Sequence, residues 1–357
     1  MHRRGFLSSP LAAFALSPQT VVAYGDGIPH TPTEYSKLLQ QIGDVAIDNY
    51  SVGGIVETLE RRMADELGKE YAVWLPTGTL ANQLAMRLLA GQKKRALVQA
   101  ESHLYRDCGD CAQTLSGLHL VGLAKGRATF TLDEAQEAAT DSASGRVVTP
   151  IGAIQIESPV RRRFGTRFDF EEMRKISQWA RREGIGLHLD GARLYLECAY
   201  TGRGVKDYAA LFDTVYVSMY KYFNAASGAI LAGPKALLEN LFHTRRMFGG
   251  SVAHAWPYAA ISLHYLQGFP DRIRRAVERS EQTISLLQKD ERFKVERIPE
   301  GTNIFRVTSK DAAALHQRLR HLAAPAPTQN RFQLQVNETW LRQSPETIAA
   351  SFMQALA

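Results

Sequence analysis

The fold is decided by one stretch of the chain, Gly186-Leu187-His188-Leu189-Asp190-Gly191-Ala192-Arg193. Its first residues are typical of a buried β-strand, and Asp190 comes where that strand stops. A helix that starts with acidic residues is expected before it, over roughly Phe170–Arg182, and Gly184 ends that helix. Another apolar strand, Thr214–Met219, follows. Strands separated by helices indicate parallel pairing in a sheet covered on both faces.

The same alternation extends toward both ends of the chain. Upstream, the pattern predicts helices and strands in turn, over Ile55–Leu67, Ala72–Leu75, Leu80–Leu89, Ala96–Gln99, Leu118–Leu123 and Ala153–Ile156. After about Trp256 it changes to long helices and then to short strands near Asn303–Val307 and Phe332–Val336. We therefore expect an α/β fold, with a large domain over residues 24–255 and a smaller C-terminal α+β domain over residues 256–357.

Composition excludes several classes of protein. The 357 residues are 45% hydrophobic and 22% charged, and 43 basic against 36 acidic residues give a net charge of +7. Only 3 residues are cysteine, which excludes a small disulfide-stapled chain, and no second cysteine pair exists to complete a metal site. The positive charge is diffuse, the densest run being Arg161–Arg163, so nucleic acid is not an expected partner. Nothing after the N-terminus is long and apolar enough to span a membrane.

The first 23 residues read as an export signal. Arg3-Arg4 precedes a moderately apolar run, and Val21-Val22-Ala23 ends in a small residue suited to signal-peptidase cleavage. The arginine pair followed by Phe6-Leu7 is similar to a twin-arginine signal, which exports folded proteins to the periplasm. The alternative is a frayed basic N-terminus on a cytoplasmic protein. We expect residues 1–23 to lie outside the fold.

Polar residues stand at the ends of three predicted strands. The first group, Leu75-Pro76-Thr77-Gly78-Thr79, turns directly into a helix, so backbone N–H groups and the helix dipole can bind a phosphate there. A plain N-cap by Thr77 is the alternative interpretation. In an open parallel sheet these ends meet at one edge, where ligands bind.

The other two ends carry Asp190 and Lys221. Asp190 can hold a protonated ring nitrogen while Arg193 grips a substrate carboxylate, although a buried ion pair between them fits equally well. Lys221 follows the strand that ends at Ser218-Met219 and is flanked by aromatic residues, so burial favours a free amine for imine chemistry. A phosphate site, a carboxylate and such a lysine together are what pyridoxal 5'-phosphate requires.

These residues lie in a longer pattern that resembles a known family. The sequence is similar to the threonine aldolase/β-eliminating lyase group of pyridoxal-phosphate enzymes of fold type I. The resemblance runs from about Asp48 to Tyr258 and rests on Asp48, Tyr50, Leu59-Glu60, Leu75–Gln83, Glu101–Tyr105, His188–Arg193 and Arg245–Gly250.

The resemblance implies residue roles. Lys221 would carry the cofactor as an imine, Asp190 would pair with the pyridinium nitrogen, and His103 would stack on the ring. Further cofactor contacts are implied for Thr77, Gly78, Thr79, Ser218 and Arg246, and substrate contacts for Arg193 and Tyr50. The expected reaction is threonine aldolase-like cleavage of a β-hydroxy amino acid into glycine and an aldehyde. The family also implies a homo-oligomer, a dimer or tetramer, with sites at subunit interfaces.

Several departures keep alternatives open. The family's Arg-Ser-Asp-Thr segment has no evident counterpart near Gly27–Glu34, and Glu157–Arg161 lacks the family's second histidine. Gln333 stands where a second carboxylate-binding arginine is expected, and Tyr222 rather than glycine follows Lys221. Cations that would replace the missing arginine are Arg161, Arg163 and Arg331. A β-eliminating lyase, a transaminase, a racemase, or a cofactor-binding protein without catalysis therefore remain alternatives.

Two smaller signals complete the sequence. Cys108-Gly109-Asp110-Cys111 has redox-type spacing, and its cysteines either pack in a loop or form a disulfide if the protein is exported. His254 follows a Gly249-Gly250 turn, which makes it either a pocket residue or a structural one.

Overall fold

The computed structural model describes residues 18–319 and 322–356. The strands are β1 (Val21–Val22), β2 (Tyr71–Leu75), β3 (Arg95–Gln99), β4 (His119–Leu123), β5 (Ile151–Glu157), β6 (Gly186–Asp190), β7 (Thr214–Ser218), β8 (Ala229–Gly233), β9 (Phe293–Arg297), β10 (Ile304–Ser309), β11 (Leu322–Ala323) and β12 (Arg331–Gln335).

The first eight helices are α1 (Pro32–Ile42), α2 (Gly54–Leu67), α3 (Gly78–Ala90), α4 (His103–Arg106), α5 (Cys111–Ser116), α6 (Leu132–Ala143), α7 (Phe170–Arg182) and α8 (Leu194–Thr201). The rest are α9 (Val205–Ala209), α10 (Lys235–Leu238), α11 (Leu241–Met247), α12 (Trp256–Leu266), α13 (Phe269–Leu287), α14 (Ala312–Arg318) and α15 (Pro345–Gln354). Short 3₁₀ turns lie at Arg161–Arg163 and Glu338–Arg342.

A seven-stranded sheet in the order β2-β8-β7-β6-β5-β3-β4 forms the centre of the molecule. All its neighbouring strands pair in parallel except β8, which runs antiparallel to both β2 and β7. Every residue of β5 and of β7 is buried, because helices cover both faces of the sheet. The α/β class and the predicted strands of this sheet are confirmed.

Local sequence explains why some elements match their predicted bounds. Helix α7 spans the predicted Phe170–Arg182 because Asp169 caps its first turn, acidic residues fill that turn, and basic residues fill the last one. Strand β8 was not predicted. It follows β7 after ten residues with no intervening helix, so the strand–helix alternation contains no signal for it.

A three-stranded antiparallel sheet, β12-β10-β9, forms the smaller C-terminal part together with α13 and α15. This agrees with the expected α+β architecture. Helix α12 begins at the predicted boundary, Trp256, but packs against α1 and α2 beside the large sheet. Within the described residues, no helix combines the length and the apolarity that crossing a bilayer requires.

The N-terminal segment enters the core. Val21–Val22 pairs in parallel with β11, and Val21, Val22 and Ala23 are fully buried. The expectation that the fold starts after Ala23 therefore differs from the structure, since burial of these apolar side chains holds the segment against the C-terminal part. The rest of the expected export signal, residues 1–17, lies outside the described residues.

Candidate active site

A cavity of about 740 Å³ opens at the carboxyl ends of the parallel strands. Residues following β2, β3, β5, β6 and β7 line it, as expected for one edge of a parallel sheet. The predicted site residues that line it are Thr77, Gly78, Thr79, His103, Asp190, Arg193 and Lys221.

Three predicted site residues do not line this cavity. Ser218 is fully buried as the last residue of β7. Tyr50 and Arg246 contact each other at the surface, with the Arg246 guanidinium 5.0 Å from the Tyr50 ring centroid. They are therefore not part of this pocket, because the loop before α2 and helix α11 hold them away from its lining.

Lys221 follows the end of β7 and is almost enclosed. Its Nζ lies 5.9 Å from the Tyr216 ring centroid and 5.6 Å from that of Tyr220. Burial lowers the pKa of Lys221 to about 8, and the Arg193 cation acts in the same direction. The lysine is thus a largely enclosed amine rather than a surface cation.

Asp190 is held by a buried relay of polar side chains. Its Oδ2 accepts a hydrogen bond from Asn82 Nδ2 at 2.6 Å, and Asn82 Oδ1 lies 2.9 Å from His188 Nε2. His188 Nδ1 in turn lies 2.9 Å from the Thr214 hydroxyl. Burial lowers the pKa of His188 to about 4, so the ring is neutral and donates to Asn82 while accepting from Thr214. The relay fixes the Asp190 carboxylate at the cavity wall.

The turn into α3 serves both as an N-cap and as a wall of the cavity. The Thr77 hydroxyl accepts from the Leu80 amide at 3.2 Å, so the N-cap interpretation is correct. The amides of Gly78 and Thr79 have no intrahelical acceptor, as at any helix start. A Cβ at Gly78 would lie 2.0 Å from the Tyr216 hydroxyl, so only glycine fits there.

His103 begins helix α4 and lines the pocket next to the turn into α3. Its ring lies 3.5 Å (Nε2) from the Thr79 hydroxyl and 3.4 Å (Nδ1) from an Asp107 carboxylate oxygen. A hydrogen bond with the Cys108 thiol raises the pKa of His103 above its ordinary value. The neighbouring acid and thiol therefore favour a protonated ring.

Glu157 is a cavity residue that the sequence analysis did not assign a role. Its carboxylate accepts the His103 amide at 2.5 Å and the Arg161 amide at 2.9 Å. Burial raises the pKa of Glu157 to about 7, and the nearby Asp190 charge adds to the effect. The available signal was its position at the end of β5, directly beside Asp190 on β6.

Asp26 is the second residue that the sequence analysis missed. The segment from Tyr24 to Pro29 lines the cavity, and Asp26 Oδ2 accepts from Arg193 Nε at 2.7 Å. Asn303 Nδ2 donates to the other Asp26 oxygen at 3.1 Å. Arg193 is therefore in a buried ion pair with Asp26 rather than with Asp190, and it still faces the pocket. The sequence analysis compared only Gly27–Glu34 with the family's Arg-Ser-Asp-Thr segment and so did not consider Asp26, which reaches the site through the fold.

Of the arginines proposed to replace the family's second carboxylate-binding arginine, only Arg161 lines the cavity, and His254 does not line it. Arg161 lines the cavity, and its guanidinium also pairs with Asp107 at 2.6 Å. Arg163 lines a separate cavity of about 900 Å³ between the large sheet and the C-terminal part, which contains none of the predicted site residues. Arg331 and Gln333 are exposed on β12. His254 Nδ1 lies 2.9 Å from the Asp48 carbonyl oxygen and does not line the pocket.

Comparisons with known proteins show which family the chain belongs to. Residues 41–319 match the beta-eliminating lyase family. The chain is 31% identical over 198 residues to aldolase vrtJ of Penicillium aethiopicum, covering 55% of this chain and 50% of that protein. It is 28% identical over 209 residues to the low-specificity L-threonine aldolase of Candida albicans, covering 58% and 55%.

The match spans about half the length of these curated relatives. A solved structure, a putative L-allo-threonine aldolase from Listeria monocytogenes EGD-E, superimposes with a TM-score of 0.80 at 27% identity. That superposition covers 95% of this chain and 96% of the other.

Proposed function

The chain belongs to the beta-eliminating lyase family, and on this premise we propose that it is a pyridoxal-phosphate-dependent carbon–carbon lyase that cleaves a β-hydroxy amino acid into glycine and an aldehyde. One observation carries the proposal: a buried amine, a fixed carboxylate and the start of a helix share one cavity. This set is what the cofactor's aldehyde, ring nitrogen and phosphate need.

The residues present fit the cofactor. Thr77, Gly78 and Thr79 would hold its phosphate at the N-terminus of α3, whose first amides have no intrahelical acceptor and which lines the cavity. Asp190 would hold its ring nitrogen, and His103 would lie on its ring. When bound, pyridoxal phosphate supplies an electron sink for the bond broken at Cα.

Lys221 supplies the reactive amine. With its pKa at about 8, roughly a tenth of the side chain is neutral at pH 7, against well under a thousandth for an ordinary lysine. Only the neutral form has the lone pair that attacks a carbonyl. Burial of Lys221 therefore raises its reactivity at neutral pH.

Glu157 supplies a group able to accept the β-hydroxyl proton. Residues 157–161 contain no histidine, so the family's second histidine is absent. Glu157 lines the pocket, and its pKa near 7 suits a general base at neutral pH. Its two backbone hydrogen bonds leave further lone pairs on both oxygens.

Arg193 supplies the cation for the substrate carboxylate. Asp26 occupies only its Nε, and no other hydrogen bond from its guanidinium is seen within the described residues. Asp26 therefore orients the side chain while its two terminal nitrogens stay available for a two-pronged contact.

The test is a screen of amino acids with purified protein, measuring aldehyde, pyruvate and ammonia release. We expect a visible imine absorbance band, loss of that band in Lys221→Ala, and aldehyde release from β-hydroxy amino acids. Lys69→Ala is the matched control, since Lys69 is also a partly buried lysine whose pKa burial lowers, but it binds the Phe212 carbonyl outside the cavity. A wild-type protein without the band would refute the proposal.

The missing histidine favours one alternative within the same cofactor class. A β-eliminating lyase needs no base to take a proton from a β-hydroxyl group, so the absence of histidine over residues 157–161 costs it nothing. Pyruvate and ammonia release without aldehyde in the same screen would identify this reaction.

We propose in addition that the protein is a homo-oligomer, a dimer or tetramer, in which Tyr50 and Arg246 reach a second protomer's site. Large apolar side chains are exposed around this pair, at Ile47, Val52 and Met247. Such groups favour burial against another protein surface. Light scattering of the wild type and of Met247→Glu tests this, and a monomeric wild type would refute it.

We also propose export to the periplasm through the twin-arginine pathway, because Arg3-Arg4 followed by Phe6-Leu7 is similar to a twin-arginine signal and a folded, cofactor-loaded protein suits that route. Cleavage after Ala23 would remove β1, whose side chains are fully buried. We therefore expect the exported protein to retain residues 18–23. Mass spectrometry of the periplasmic protein, compared with an Arg3→Lys/Arg4→Lys variant, tests both points.

A further inference from the structure

A pair of cysteines lies in a tight turn beside the candidate active site. In the turn Cys108-Gly109-Asp110-Cys111, Gly109 and Asp110 both have left-handed backbone conformations, with φ of 57° and 54°. The Cys111 amide donates to the Cys108 carbonyl at 3.2 Å, and α5 starts at Cys111. The turn therefore brings the backbones of Cys108 and Cys111 together.

The thiols interact with each other. A hydrogen bond between them raises the pKa of Cys108 and lowers the pKa of Cys111, so Cys111 is the more acidic thiol. All three cysteines are free in the structure, and the third, Cys198, lies on α8. Cys198 has no cysteine neighbour.

Cys108 also touches the cofactor-binding side of the pocket. Its Sγ lies 3.9 Å from the Thr79 hydroxyl, which itself lies 3.5 Å from His103 Nε2. Thr79 and His103 both line the cavity. The thiol therefore links the turn to two residues that the proposed function places against the cofactor.

We propose that Cys108 and Cys111 form a thiol–disulfide exchange site that reacts with low-molecular-weight disulfides, and that its oxidation loosens the cofactor pocket. Only the second half of this inference rests on the proposed function. The first half concerns the two thiols themselves.

The exchange balances with a disulfide RSSR as oxidant. The Cys111 thiolate attacks one sulfur of RSSR, which forms a mixed disulfide and releases RS⁻. Cys108 then attacks the Cys111 sulfur, its proton passing to the RS⁻ released in the first step, and a second RS⁻ leaves. The two cysteines lose two electrons, and RSSR gains them. The product joins Cys108 to Cys111.

Oxidation changes the pocket because a sulfur in a disulfide has no proton to donate. Thr79 loses its thiol partner, and Cys108 is drawn toward Cys111 and away from the contact between Thr79 and His103. One lost hydrogen bond next to the cofactor corresponds to about tenfold weaker retention.

The test incubates the full-length protein with glutathione disulfide and counts free thiols by mass spectrometry. We expect the count to fall from 3 to one, with a Cys108–Cys111 crosslink in the peptide map and Cys198 still free. Cys108→Ser should instead keep a glutathione adduct on Cys111, and Cys198→Ser should oxidise like the wild type. Retention of all thiols, or a crosslink to Cys198, would overturn the exchange site.

The effect on the pocket is measured separately, by dialysing oxidised and reduced protein against buffer and following the imine band. We expect the oxidised protein to lose cofactor about tenfold faster, and Cys111→Ser to be insensitive to oxidant. Equal retention in both forms would overturn the coupling. Neither readout needs amino acid turnover, so a failure of the proposed reaction is distinguishable from a failure of this inference.

Discussion

Replacing Asn82 with leucine tests whether the buried relay holds Asp190 in place. Asn82 is fully buried and makes two hydrogen bonds, one to Asp190 at 2.6 Å and one with His188 at 2.9 Å. Leucine has a similar volume, so the change removes a donor and an acceptor and leaves almost no cavity. What remains is a carboxylate without its shortest donor and a buried imidazole N–H without an acceptor.

The expected cost follows from these two orphaned groups. A buried polar group left without its partner costs about 1–3 kcal/mol, with charged groups at the upper end. Asn82→Leu should therefore lower the free energy of unfolding by about 2–6 kcal/mol. Because Asp190 also moves, the variant should bind cofactor more weakly than the wild type.

The measurement is urea unfolding of cofactor-free protein, followed by tryptophan fluorescence, with midpoints compared at equal m-values. Gln83→Leu is the matched control, since Gln83 is buried next along the same helix and its Nε2 makes no hydrogen bond. We expect the control to unfold within about 1 kcal/mol of the wild type.

Two results would refute the reasoning. If Asn82→Leu were as stable as Gln83→Leu, the relay would contribute nothing beyond packing. If it were destabilised but bound cofactor normally, Asp190 would be held by other groups, such as the Ala192 amide that donates to its Oδ1 at 3.1 Å.

Three further predictions follow from charges in or near the pocket. Asp26→Ala should lower the free energy of unfolding in urea by about 3–5 kcal/mol, because it leaves the buried Arg193 unpaired. The control Asp271→Ala, which breaks an exposed ion pair, should lower it by at most about 0.5 kcal/mol. Equal losses of stability in the two variants would contradict the argument from burial. The folded-state pKa of Glu157, about 7, lies above its unfolded value of about 4.5, so folding takes up a proton between these values. The free energy of unfolding should accordingly fall as pH rises from about 4.5 to 7, and Glu157→Gln should reduce this pH dependence. An unchanged pH dependence in the variant would contradict the role of Glu157. With the pKa of Lys221 at about 8, the rate of imine formation with added pyridoxal phosphate should increase as pH rises toward 8 and become constant above it. Stopped-flow absorbance measures this rate. A rate that keeps increasing up to pH 10 would indicate an ordinary lysine.

Local sequence predicted most of the large sheet because its strands carry a clear local signal. Strands buried on both faces are continuous apolar runs, as in β5 and β7, and caps fix helices such as α7. Strand β8 was missed because its apolar run follows the Lys221 loop without a helix. Strand β1, which pairs with β11 outside the large sheet, falls in the segment interpreted as a signal, because Val21-Val22-Ala23 suits both a cleavage site and a core.

The sequence by itself determined the residues that follow strand ends, among them Lys221, Asp190 and Thr77, since parallel strands bring their carboxyl ends to one edge whatever the loops do. Only the tertiary structure decided which side chains complete the pocket. Asp26 reaches Arg193 across 167 positions and Asn82 reaches Asp190 across 108, and no local pattern records such pairs. The physical reason is that strand and helix signals act over a few residues, whereas the partner of a buried charge is chosen by the packing of the whole chain.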